Sequence, residues 1–80
     1  MKNTNPSKQE EVIREFTPIG KYRIRLLVGP ASREKSLDLR EYVSLESFEG
    51  FTRRGIRLVD RAQVELLRDI LSEVLRDLLL

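Results

Sequence analysis

The sequence predicts an α+β domain in which an antiparallel sheet of four strands is followed by one C-terminal helix. Three observations carry that reading. The central segments alternate apolar and polar residues with period two. Short polar stretches containing Gly or Pro separate those segments. From Asp60 onward, the apolar residues fall at helical spacing.

Met1 to about Arg14 is polar and rich in Asn, Ser and Lys at its start, so it reads as a flexible tail, and the domain proper is expected over residues 15–80. A short strand is expected around Phe16 to Ile19. Lys21 to Val28 (KYRIRLLV) alternates cleanly, with Tyr22, Ile24, Leu26 and Val28 on one face and Lys21, Arg23 and Arg25 on the other. Gly29-Pro30 ends this strand, and Gly29 to Lys35 suits a hairpin loop. Ser36 to Leu45 is the next strand, with Leu37, Leu39, Val43 and Leu45 sharing one face and Asp38, Arg40 and Tyr42 the other. Glu41 falls on the mostly apolar face, which predicts a bulge or twist there, or an edge position where its carboxylate reaches water. Ser47 to Gly50 is a turn, and Phe51 to Val59 is the last strand, with Ile56 and Leu58 inward and Arg53 and Arg57 outward. Gly55 inside that strand predicts a kink or a close backbone approach.

Asp60 opens the helix as its N-cap, with Gln63 placed three residues on for a capping box. Val64, Leu67, Leu71, Val74 and Leu78 form a stripe that reads first as a core face. Leu66, Ile70, Leu75 and Leu79 flank it, so the apolar surface is wider than one sheet face covers. A dimer interface formed by Leu67, Ile70, Leu71, Val74, Leu75, Leu78 and Leu79 uses that excess width.

Composition points the same way. A core built from 80 residues is small and usually needs a staple, and a chain with no Cys and no His has neither disulfides nor the common zinc ligands. Self-association is the staple that remains. Met1 to Gln9 has no apolar central region and no apolar run approaches membrane-spanning length, so a soluble intracellular protein is expected, cytoplasmic or nuclear according to its host. Without His to activate any serine, and without a Gly-rich phosphate loop, the sequence argues against an enzyme and implies no cofactor, metal or small-molecule substrate.

Charge is unevenly distributed. Ile19 to Leu58 holds nine Lys or Arg against five Asp or Glu, a balance of +4, whereas Asp60 to Leu80 holds three against five, a balance of −2. If the strands pair as read, Lys21, Arg23, Arg25, Arg40, Arg53 and Arg57 lie on the face away from the helix, with Tyr42 among them and Phe48 and Phe51 in or beside the adjoining turn. Phosphates need positive charge and unstacked bases need flat π surfaces, so basic residues interleaved with aromatics suit single-stranded nucleic acid. Charge on solvent-facing strands also guards against edge aggregation, which is the plainer reading of the same residues.

Ile19-Gly20-Lys21-Tyr22-Arg23, Leu37-Asp38-Leu39-Arg40-Glu41-Tyr42 and Arg53-Arg54-Gly55-Ile56-Arg57-Leu58, followed by the helix containing Gln63, resemble in order and spacing the transcriptional coactivator family known as positive cofactor four. The resemblance runs from about Phe16 to the C-terminus. It implies a curved four-stranded sheet, dimerisation through the helices, and channels for single strands or melted duplex. It places Lys21, Arg40, Arg53 and Arg54 at or near the nucleic acid. Val43 stands where the family usually has Trp, the first hairpin lacks an aromatic, and the long regulatory segment of eukaryotic members is absent, which points to a minimal prokaryotic or viral member. The leading expectation is a homodimeric single-stranded-DNA-binding protein serving transcription, replication or repair. An RNA-binding protein of the same architecture and a homodimeric interaction module without nucleic acid are the alternatives.

Overall fold

A computed structural model describes residues 10–30 and 33–79. The elements are β1 (Glu11–Glu15), β2 (Tyr22–Val28), β3 (Lys35–Ser44), β4 (Glu49–Leu58) and α1 (Arg61–Leu78), and the strands form one antiparallel sheet in the order β1-β2-β3-β4. The α+β architecture is as the sequence predicts, with β2, β3 and α1 each beginning within one residue of its expected start.

The first strand is a correction. It lies at Glu11–Glu15, not at Phe16 to Ile19, and so takes up Glu11 to Arg14 of the assigned tail, of which residues 1–9 lie outside the described residues. Phe16 still donates its N–H to Ile24 O at 2.8 Å, but Pro18 has no N–H to give, and the chain reverses at Gly20 (φ 60°), where Ile19 and Tyr22 bond each other's backbone at 2.9 Å. The β3–β4 turn is likewise earlier than expected. Leu45 and Phe48 close it with backbone bonds of 2.7 and 3.3 Å, so Leu45 belongs to the turn and is exposed.

The pairing of β3 with β4 is interrupted at Glu41. Arg40 pairs with Gly55 and Tyr42 with Phe51, leaving Glu41 alone on β3 opposite Thr52, Arg53 and Arg54 on β4. The expected bulge is therefore present, and β4 carries the extra residues. Gly55 permits it: with φ at 146°, a Cβ there would stand 2.1 Å from Leu39 O and 2.8 Å from Arg40 Cα. The sheet also curls. Glu10, at the head of one edge strand, reaches Arg57 on the opposite edge strand.

Asp60 caps α1 as predicted, its Oδ1 accepting from Gln63 N at 2.9 Å, while Gln63 Oε1 accepts from Val59 N at 2.8 Å. The reading of the helix stripe as a core face is not met within the chain. No residue of α1 is buried, and its contacts with the sheet fall chiefly on β4, where it departs. Beneath its first turns an apolar groove of about 420 Å³ stays open between Val64 and the sheet residues Leu26, Leu37 and Leu58. The radius of gyration, 15.6 Å, exceeds the roughly 12 Å of a compact chain this long. Among the described residues only Leu27, Asp38 and Glu41 are buried, so the interior of the sheet is mainly ionic.

Candidate nucleic-acid interface

Paired residues on neighbouring strands project to the same side of a sheet. The pairs Arg23–Arg40, Arg25–Asp38, Asp38–Arg57 and Tyr42–Phe51 therefore bring four arginines and two aromatic rings from β2, β3 and β4 onto one face. The opposite face carries Ile24, Leu26, Leu37, Leu39, Ile56 and Leu58.

At the centre of the basic face lies Asp38, with no solvent exposure. Its Oδ1 accepts from Arg40 Nη2 at 2.9 Å, Arg40 Nε at 3.3 Å and Arg57 Nε at 3.3 Å, and its Oδ2 accepts from Arg25 Nη2 at 3.4 Å. Burial alone would raise the Asp38 pKa. The bonds and charge of Arg40, the charge of Arg57 and the bond from Arg25 outweigh it and hold the carboxyl below its usual range. Arg40 is tied further, giving Nη1 to Arg53 O at 2.9 Å. Arg57 gives Nη1 to Glu10. Burial would lower the Arg57 pKa, and its bonds with Glu10 and Asp38 raise it instead.

The aromatic pair is flanked by arginine planes. Arg23 lies 3.8 Å over the Tyr42 ring and Arg25 3.9 Å over the Phe51 ring, and the two rings meet edge to face with centroids 5.0 Å apart. Tyr42 donates its hydroxyl to Glu49 Oε2 at 2.8 Å, and that bond, with burial and the carboxylate's charge, raises the phenol pKa. Arg25 Nε is buried without a partner among the described residues, since stacking on Phe51 leaves that edge no acceptor.

Lys21 and Arg54 gather elsewhere. Glu41, paired with Tyr22, belongs to the alternate face, where it accepts from Lys21 Nζ at 2.8 Å and Thr52 Oγ1 at 2.8 Å and has Arg54 Nε 4.0 Å away. Those hydrogen bonds, Lys21 first, lower its pKa against the opposing effect of burial, and the same bond raises that of Lys21. The expected grouping of Lys21 with Arg23 and Arg25 is therefore corrected: the turn at Gly20 breaks the alternation just before Tyr22. The carboxylate does not reach open water, being only 5% exposed. Strict alternation would put Arg54 on the inward side with Ile56 and Leu58, but the bulge at Thr52–Arg54 swings it outward and it is 77% exposed. Arg53 contributes its carbonyl to Arg40, and its exposed guanidinium has no partner among the described residues.

Alternation places Asp38 outward and Glu41 on the apolar face, but nothing in it assigns either of them, or Glu49, a part in the site. The available signal was Asp38 itself, an acid two residues before Arg40 in an otherwise basic outward row. On the helix, Leu67 is half-buried, and Ile70, Leu71, Val74, Leu75, Leu78 and Leu79 are exposed. No helix among the described residues is long and apolar enough to cross a membrane, and no group of three or more acidic side chains gathers there to hold a metal.

No protein-family model, curated protein or solved structure matches this chain.

Proposed function

We propose that the protein is a homodimeric, sequence-tolerant single-stranded-DNA-binding protein of the positive cofactor four type, acting on melted DNA in transcription regulation or in replication and repair. One observation carries this reading. Arg23, Arg25, Arg40 and Arg57 converge from three strands beside Tyr42 and Phe51, which combines phosphate-seeking donors with stacking surfaces on one curved face. Arg53 adds an exposed guanidinium with no partner among the described residues, and Lys21 and Arg54 add positive charge on the alternate face, beside Glu41. The dimer is supported by the helix, where Leu66, Leu71, Leu75, Leu78 and Leu79 stay exposed among the described residues.

A second reading also has an observation behind it. Both rings are already covered by arginines of the same chain, as expected if the array only stiffens the sheet of an interaction module. Titrating labelled single-stranded DNA, duplex DNA and RNA by fluorescence anisotropy at two salt concentrations separates the readings. Single strands are expected to bind more tightly than duplex. With about four phosphates neutralised per chain, the slope of log affinity against log salt is about −3, taking ~0.7 per phosphate. A slope near zero, or equal affinity for intact duplex, overturns the nucleic-acid reading; tighter binding of RNA moves the target from DNA to RNA.

A further inference from the structure

We propose that Asp38 is a positioning residue that sets Arg25, Arg40 and Arg57 into one cradle for a single backbone phosphodiester; this rests on the nucleic-acid reading above. Three guanidiniums on three adjacent strands repel one another and, left alone, spread into solvent. Here one buried carboxylate draws them together, with every contact between 2.9 and 3.4 Å. Three positive groups against Asp38 and the Glu10 carboxylate on Arg57 leave a local surplus of +1, concentrated over a buried anion that cannot itself reach a ligand. The guanidinium planes are fixed before any ligand arrives. Arg25 is held by Phe51, Arg40 by Arg53 O and Arg57 by Glu10. Glu10 also shows that the outward edge of Arg57 takes an oxyanion, since a half-exposed carboxylate already sits there. A phosphodiester offers the same oxygen chemistry with a single negative charge, and guanidinium donors suit it.

The test exploits a reversal of sign. If charge alone governs binding, Asp38→Asn adds one positive charge per chain and tightens single-stranded DNA. If Asp38 positions the arginines, the same variant weakens binding about tenfold or more, as loss of charge-assisted bonds does, and flattens the salt slope by about one contact. Glu46→Gln, at an exposed turn position, adds the same charge without touching the cluster and is expected to tighten binding slightly. Parent, D38N and E46Q are compared with a labelled oligodeoxythymidine, with folding followed by circular dichroism. Should D38N bind as tightly as E46Q, the positioning role is wrong while the nucleic-acid reading stands. A parent that binds no single strand overturns both.

A second measurement on the parent covers the case in which D38N does not fold. The Nε–H resonances of Arg25, Arg40 and Arg57 are expected to be dispersed and slow to exchange in the free protein, and to shift together as the oligonucleotide is added. Resonances averaged with that of the exposed Arg76, or fixed resonances unmoved by a saturating oligonucleotide, overturn the proposal.

Discussion

The arginines of the basic face differ in what their donors already do, and that difference sets what each substitution costs. Arg40 spends Nε and Nη2 on Asp38 and Nη1 on the Arg53 carbonyl, whereas the Arg53 guanidinium has no partner among the described residues. Arg53→Ala is therefore expected to weaken single-stranded DNA of every sequence about equally and leave the melting temperature within a degree or two of the parent. Arg40→Ala removes charged hydrogen bonds from a buried carboxylate, at about 1–3 kcal/mol, each kcal/mol lowering the melting temperature of so small a domain by about 4–8 °C. Affinity and melting temperature measured on the same two variants check this; equal thermal losses in both contradict it. Alternation alone sufficed to put Arg23, Arg25, Arg40, Tyr42 and Arg57 on one side of the sheet. It failed for Lys21 and Arg54, because a turn at Gly20 and a bulge at Thr52–Arg54 each break the period of two. The commitment of Arg40 to Asp38 was beyond its reach as well, since spacing fixes a face and not a partner.

Among the elements, β2, β3 and the helix start were legible because local chemistry marks them: clean alternation, a Gly-Pro stop, and an Asp60–Gln63 cap. Strand β1 was not. It is an exposed edge strand, EVIRE, defined by its ladder with β2 and interrupted by a bulge at Ile13, so no buried face imprints a pattern on its sequence. The helix was legible in extent and misread in environment. Its stripe was assigned chiefly to the core, yet Leu71 is 51% and Leu78 75% exposed, as are the flanking Leu75 at 62% and Leu79 at 86%. That exposure makes the proposed dimer testable at this scale. Leu75 and Leu79 are mostly exposed, so replacing both with Glu removes little packing among the described residues, and the sheet is expected to keep its circular dichroism signature while the dimer falls apart to monomer at micromolar concentration. Light scattering checks the mass. A parent that is already a folded monomer, or a double variant that remains dimeric, contradicts the helix-mediated interface.

At the scale of the whole molecule, two buried carboxylates on opposite faces tie the sheet together: Asp38 joins β2, β3 and β4, and Glu41 joins the Gly20–Lys21 turn, β3 and the bulge of β4. With Leu27 the one buried apolar side chain among the described residues, these ionic links carry an unusual share of the fold's specificity, and they respond to acid. Both groups have folded-state pKa values below their ordinary ones. Asp38 is lowered because its three arginines outweigh burial, and Glu41 because the bonds from Lys21 and Thr52 do. A carboxylate whose pKa is depressed on folding stabilises the fold at every pH above its unfolded value, about 3.9 for Asp and 4.3 for Glu. That contribution fades as pH falls through the unfolded value and is gone below the folded one. The melting temperature is thus expected to be nearly flat from pH 8 to about pH 5 and to drop steeply below about pH 4, as protonation leaves Arg25, Arg40 and Arg57 facing one another without their counter-charge. Asp38→Asn, where it folds, should be less stable than the parent at neutral pH and lose less on acidification. Melting curves by circular dichroism across this range decide the matter: a parent whose melting temperature does not change between pH 6 and pH 2.5 does not rely on these carboxylates, and the ionic account of its interior fails.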